Sequence, residues 1–103
     1  MLIHLENADQ FRETIKSGTV LLDFFATRCG PCKMLTPELE KFAERHPEVT
    51  VLKIDVDEYG EIAAIFNVNA VPTLLVFKDG EQKAASAGFK PLPQLEKFVF
   101  DAQ

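Results

Sequence analysis

Apolar residues in this chain fall into runs of two kinds. Val20-Leu21-Leu22-Asp23-Phe24-Phe25-Ala26, Val49 to Val56 and Thr73-Leu74-Leu75-Val76-Phe77 are short and nearly continuous, the pattern of strands buried on both faces. Between them the apolar spacing turns helical. Leu35, Leu39, Phe42 and Ala43 recur at i, i+4, i+7 and i+8 and cover one helix face. Asn7 is placed as an N-cap with Gln10 three residues on, ahead of Phe11 and Ile15, and Ser17-Gly18 stops that helix. Ile62, Ala63, Ile65 and Phe66 predict another helix, broken by Asn67-Val68-Asn69, and Leu92, Leu95, Phe98 and Val99 predict a last one. A short apolar piece, Leu2 to Leu5, opens the chain. Asp79-Gly80 joins the third strand to a weaker one around Gln82 to Ala87, because a type I′ hairpin needs positive φ at both central residues. The resulting order, β-α-β-α-β-α-β-β-α, predicts an α/β layer fold whose mixed sheet ends in an antiparallel pair.

Length changes this picture little: 103 residues without a linker or repeat suit one domain spanning 1–103. Eleven basic against sixteen acidic residues leave a net charge of −5 with no basic cluster, which disfavours nucleic acid as a partner. No stretch approaches membrane-spanning length, and Met1-Leu2-Ile3-His4-Leu5-Glu6 does not read as a secretory signal, so a cytoplasmic protein without a membrane partner is expected.

The only two cysteines stand in Cys29-Gly30-Pro31-Cys32, directly after the first long apolar run and before the Leu35 stripe. The motif therefore sits at a strand-to-helix junction, with Pro31 in the first helical turn, where its missing N–H costs nothing. Cys29 then lies at the helix N-terminus, where unpaired N–H groups and the helix dipole favour thiolate over thiol. A low-pKa cysteine is a nucleophile for disulfide exchange, and Cys32, one turn on, is placed to resolve the mixed disulfide. Three plainer readings compete. A structural disulfide closing so short a loop contributes only ~2 kcal/mol. A zinc site lacks ligands, since only His4 and His46 remain and without the usual spacing. Chance occurrence is weakened by the strand-to-helix context, and redox chemistry in a reducing compartment is favoured over all three.

At this point the chain resembles the thioredoxin family. The residues that carry the likeness are Asp23-Phe24-Phe25-Ala26 before Cys29-Gly30-Pro31-Cys32-Lys33, then Pro37, Lys53, Val71-Pro72-Thr73, Lys78-Asp79-Gly80 and Gly88, in the family's order along nearly the whole length. The resemblance implies a central five-stranded mixed sheet flanked by four helices. It also implies a monomeric protein-disulfide reductase and electron carrier that binds no cofactor beyond its own redox-active disulfide. Its partners would be disulfide-containing proteins and an NADPH-dependent flavoprotein thioredoxin reductase. Cys29 takes the role of nucleophile and Cys32 of resolving thiol. Asp23 assists proton transfer at Cys32, a role that suits an acid desolvated in an apolar strand. Lys53 is placed to pair with Asp23, although a strand lysine is more often solvated. Gly30 and Pro31 face the substrate. Pro72 is the family's cis-proline, with the Val71 backbone as an edge for an extended substrate. Gly88 would let a partner's backbone approach, or merely end a strand. Pro37 implies a helix that runs on through a missing hydrogen bond to residue 33, and the nine phenylalanines read as core.

The chain departs from the family pattern at Arg28, where a tryptophan usually precedes the first cysteine, and it contains no tryptophan at all. Phe25 stands at the other usual tryptophan position. Arg28 places a permanent charge beside the thiolate and removes an aromatic plate from the docking surface, unless it simply points into solvent. It bears on redox potential and on partner choice. A partner-holding module without catalysis, or a carrier with one dedicated partner, is the alternative reading. Reduction through glutathione is a third, disfavoured by Gly30-Pro31 between the cysteines.

Overall fold

The computed structural model describes residues 1–103. Its elements are β1 (Leu2–His4), α1 (Ala8–Ile15), β2 (Thr19–Phe25), α2 (Gly30–Arg45), β3 (Val49–Asp55), α3 (Gly60–Ile65), β4 (Thr73–Lys78), β5 (Glu81–Ala87) and α4 (Leu92–Asp101). The strands form one sheet in the order β1-β3-β2-β4-β5. β3 pairs in parallel with β1 and β2, whereas β4 pairs antiparallel with β2 and β5. This is the five-stranded mixed sheet with four helices that the sequence implied.

β2 lies in the middle and is covered on both faces, which explains its continuous apolar run. Because side chains alternate across a strand, Val20, Leu22 and Phe24 join a core with Leu52, Ile54, Leu75 and Phe77, closed by Phe11 of α1 and Ile62 of α3. Leu21 faces the opposite side, where Val51, Leu74 and Val76 meet Leu35, Leu39 and Phe42 of α2 and Leu95 and Val99 of α4. Position 23 belongs to this second face, under α2.

Local signals fix the ends of the elements. Asn7 caps α1 by accepting from Gln10 N at 2.8 Å, while Gln10 Oε1 accepts from Glu6 N at 2.7 Å. α3 ends with Asn67 at φ 56°, with Val68 N donating to Ala63 O and Asn67 N to Ala64 O, so two of the last carbonyls are satisfied. At the hairpin Asp79 and Gly80 have φ of 50° and 86°, as a type I′ turn requires. Asp79 Oδ1 also accepts from Gly18 N at 2.8 Å, tying this turn to the chain entering β2. α2 continues through the exposed Pro37.

Two expectations need correction. Ile65 is 71 % exposed: on α3 it lies about 100° from Phe66, the centre of the stripe made with Ile62 and Ala63. Not every phenylalanine is core either, since Phe89 and Phe100 are exposed, and Phe100 stacks on Phe42 and meets His46 edge-on. Urea denaturation of the oxidised protein should separate the two kinds of apolar residue. Phe24→Ala, at a fully buried site, is expected to lose ~3–5 kcal/mol. Ile65→Ala is expected to stay within ~0.5 kcal/mol of the wild type.

Candidate functional site

β2 ends at Phe25, and four residues later the chain enters α2, whose N-cap is Cys29 with φ −139° and ψ 109°. The Cys29 sulfur itself performs the capping: Cys32 N donates to Cys29 Sγ at 3.2 Å. A sulfur that already accepts from a first-turn N–H stands where negative charge is stabilised. Gly30 and Pro31 occupy the first two helical positions, both exposed, and nothing lies within 4 Å of where a Gly30 side chain would start. Cys29 and Cys32 are joined in a disulfide, with Cα atoms 5.2 Å apart. Cys32 is the deeper of the two, 3 % exposed against 9 % for Cys29.

The Val71-Pro72 bond is cis. The Val71 carbonyl oxygen lies 3.8 Å from Cys29 Sγ. Gly88 N donates to Pro72 O at 2.8 Å, so Gly88 is fastened to the same loop. Its φ of 100° suits glycine, and the space beside it is open. A groove of about 340 Å³ runs beside this loop, lined by Ala26, Val56, Val68, Ala70 and Val71 with Asp57 and Asn69. Sequence reasoning found Val71 but not the rest, because three separate loops build the groove. A larger groove of about 450 Å³, between Ala84 of β5 and Phe98 of α4, contains no residue of the cysteine site.

Beneath the cysteines, Asp23 and Lys53 are direct neighbours in the β2–β3 register. Asp23 is 1 % and Lys53 6 % exposed, so Lys53 is not the solvated strand lysine that its residue type suggests. Lys53 Nζ stands 3.9 Å from Asp23 Oδ2, beyond hydrogen-bond reach, and neither Asp23 oxygen has a hydrogen-bond partner. The ammonium instead donates to Thr36 Oγ1 at 3.1 Å and lies 4.9 Å from the centre of the Phe25 ring. Thr36 in turn donates to the Cys32 carbonyl at 3.2 Å. Thr36 thus links the buried lysine to the cysteine helix, a role that sequence reading missed. Its signal was a hydroxyl one turn after Cys32 on the inner side of α2. Phe25, Cys32, Lys33, Thr36 and Lys53 also line a recess of about 130 Å³ that leads from the surface to this layer.

Desolvation raises the Asp23 carboxyl from its ordinary 3.8 to about 6, and the nearby Lys53 charge holds it back only in part. An acid that titrates near neutrality can hold or release a proton at working pH. Of the remaining expected residues, Arg28 is exposed at the rim immediately before Cys29. The structure therefore gathers Cys29, Cys32, Val71, Pro72 and Gly88 around the disulfide, with Cys32 and Pro72 themselves buried, and sets the Asp23–Lys53 pair of the sheet behind them.

Comparison with known proteins agrees with this geometry. The thioredoxin family profile matches residues 2–101. The thioredoxin of Chlamydia muridarum is 46 % identical over 98 residues, covering 95 % of this chain and 96 % of its own. That of Staphylococcus haemolyticus is 50 % identical over 90 residues, with 86 % of each covered. Mitochondrial thioredoxin 3 from Saccharomyces cerevisiae, solved in its oxidised form, superposes with a TM-score of 0.89 at 40 % identity, over 97 % of this chain and 94 % of that one. Nothing in these likenesses favours a module that only holds a partner.

The buried acid carries a stability cost with a defined sign. Its folded pKa lies above its unfolded value, so the unfolded chain binds fewer protons between about pH 4 and 6, and stability falls as pH rises through that window. The difference between 3.8 and about 6 corresponds to ~3 kcal/mol. Asp23→Ala, followed by urea denaturation of the oxidised protein across pH 4 to 8, should gain on the wild type by about that amount as pH rises. A difference that is flat in pH would show that Asp23 ionises freely in the folded state.

Proposed function

The chain belongs to the thioredoxin family and is a thiol–disulfide oxidoreductase; we propose that it acts as a protein-disulfide reductase in which Cys29 attacks and Cys32 resolves. The observation that carries this division of labour is the asymmetry of the two sulfurs. Cys29 Sγ is the N-cap acceptor and borders the Val71 edge, whereas Cys32 lies deeper, beside the recess that reaches Lys53 and Thr36.

In the reduced protein the Cys29 thiolate attacks one sulfur of a substrate disulfide. That S–S bond breaks, the departing thiolate takes a proton, and a Cys29–substrate mixed disulfide forms. Cys32 then loses its proton and attacks Cys29 Sγ, releasing the second substrate thiolate and closing the Cys29–Cys32 disulfide. Two electrons pass to the substrate, which leaves as a dithiol. Asp23 serves as the local proton acceptor for Cys32, and Lys53, held by Thr36, steadies the charge that Asp23 acquires. Gly30, Pro31, Val71, Pro72 and Gly88 receive the substrate, whose extended segment adds to the Val71 backbone edge. Return to the dithiol draws electrons from an NADPH-dependent flavoprotein thioredoxin reductase. The protein works as a monomer in the cytoplasm, without nucleic-acid or membrane partners and with no bound cofactor beyond its own cysteine pair.

Mixed-disulfide trapping tests the roles. Cys32→Ser should accumulate covalent adducts with a disulfide protein such as insulin, because the resolving step is gone while attack persists. Cys29→Ser should accumulate about tenfold less or none, measured as adduct on a non-reducing gel. Equal adduct from the two variants would show that the roles are misassigned.

A further inference from the structure

Of the eleven basic side chains, nine have a partner. Seven form ion pairs, Lys78 donates to Thr19, and Lys90 covers the Phe98 ring. The two left without an ion pair, a side-chain hydrogen bond or an aromatic ring are Arg28 and Lys33. They immediately precede Cys29 and follow Cys32, both are exposed, and they belong to a chain of net charge −5. In this acidic protein the uncommitted positive charge is thus concentrated on the two residues that flank the redox-active cysteines.

We infer that Arg28 and Lys33 select among disulfide substrates, favouring those that carry a carboxylate beside the sulfur under attack. A substrate sulfur must come into contact with Cys29 for exchange, and this brings its flanking groups alongside residues 28 and 33. A substrate carboxylate there meets two cations that need not break an existing pair. Asp57 lines the groove together with Val71, so that groove disfavours the negative charge that the cations beside the cysteines favour. Arg28 matters most where an aromatic plate would give affinity without regard to charge: a guanidinium in its place offers a fork of donors matched to a carboxylate. The inference rests on Cys29 being the attacking sulfur and concerns only which substrates it prefers.

Three small disulfides make the test: anionic 3,3′-dithiodipropionate, neutral 2-hydroxyethyl disulfide and cationic cystamine. Second-order rates of oxidation of the reduced protein are measured for wild type, Arg28→Gln, Lys33→Gln, the double variant and Arg28→Lys. Each variant is compared with wild type on the same substrate, so leaving-group acidity cancels. Any uniform effect on the Cys29 thiolate cancels when substrates are then compared. The preference for the anionic over the neutral disulfide should fall about threefold for each charge removed and about tenfold for both, the size expected of a unit charge ~7 Å away through water. Cystamine should shift the opposite way, Arg28→Lys should retain most of the preference, and the discrimination should shrink in ~1 M salt. Equal factors on all three disulfides would overturn the proposal while leaving disulfide reduction itself intact. Failure of the wild type to reduce any of them would count against Cys29 as the attacking sulfur and take the proposal with it.

Discussion

Burial of β2 on both faces is the constraint from which the other features of this protein follow. The strand is hydrogen-bonded to β3 on one side and β4 on the other, with helices over each face. Such a strand must be apolar throughout, since a polar group in it loses water on every side. Thr19, at the strand's start, makes up that loss through its hydrogen bonds to Gln103 and Lys78; Asp23, whose oxygens have no partner, breaks the rule at a cost in stability. The violation is placed with purpose: it falls on the α2 face, in register with Lys53, under the helix that begins at Cys29. The same strand that supplies the core therefore delivers the cysteines to its own C-terminal end and places a proton-holding group behind them.

Lys53 shows why that acid is not simply one half of an ion pair. A separation of 3.9 Å without a hydrogen bond gives a Coulomb attraction that is too weak to offset full desolvation of the carboxylate. The ammonium meanwhile donates a hydrogen bond to Thr36 and rests on the Phe25 ring. A tighter pair would hold Asp23 ionised throughout and remove its ability to exchange a proton near neutral pH. The looseness of the pair is what keeps the carboxyl at about 6.

The fold was legible in the sequence wherever a single segment carried its own signal. Continuous runs marked the buried strands, Asp79-Gly80 marked the hairpin through its φ requirement, and Asn7 with Gln10 marked the start of α1. The cysteine motif was legible for the same reason, being local. Features that depend on neighbours from elsewhere were not. Lys53 reads as a surface residue until β3 is placed inside the sheet, and Thr36 reads as an ordinary helix residue until Lys53 reaches it. Ile65 fails in the opposite direction: a six-residue helix has room for one stripe, and composition alone cannot say which apolar residue falls off it. Likeness to a family supplied roles for Pro72 and Gly88 that spacing could not, because both depend on how two loops meet.

Charge at the rim follows a different logic from charge in the interior. Behind the cysteines a single carboxyl is tuned by losing water, an effect that salt hardly screens. In front of them, Arg28 and Lys33 act across solvent, where each is weak and adjustable. This separation lets the two properties vary independently: in the mechanism proposed above the interior layer serves proton transfer at Cys32, while the rim charges serve the proposed choice of substrate at Cys29. Arginine at position 28 changes the outer property without touching the inner one, since no group of the Asp23 layer contacts it. Under the substrate selection proposed above, exchange of an aromatic for a charge at that single exposed position is a route by which one oxidoreductase scaffold acquires a different substrate preference at little cost to its fold.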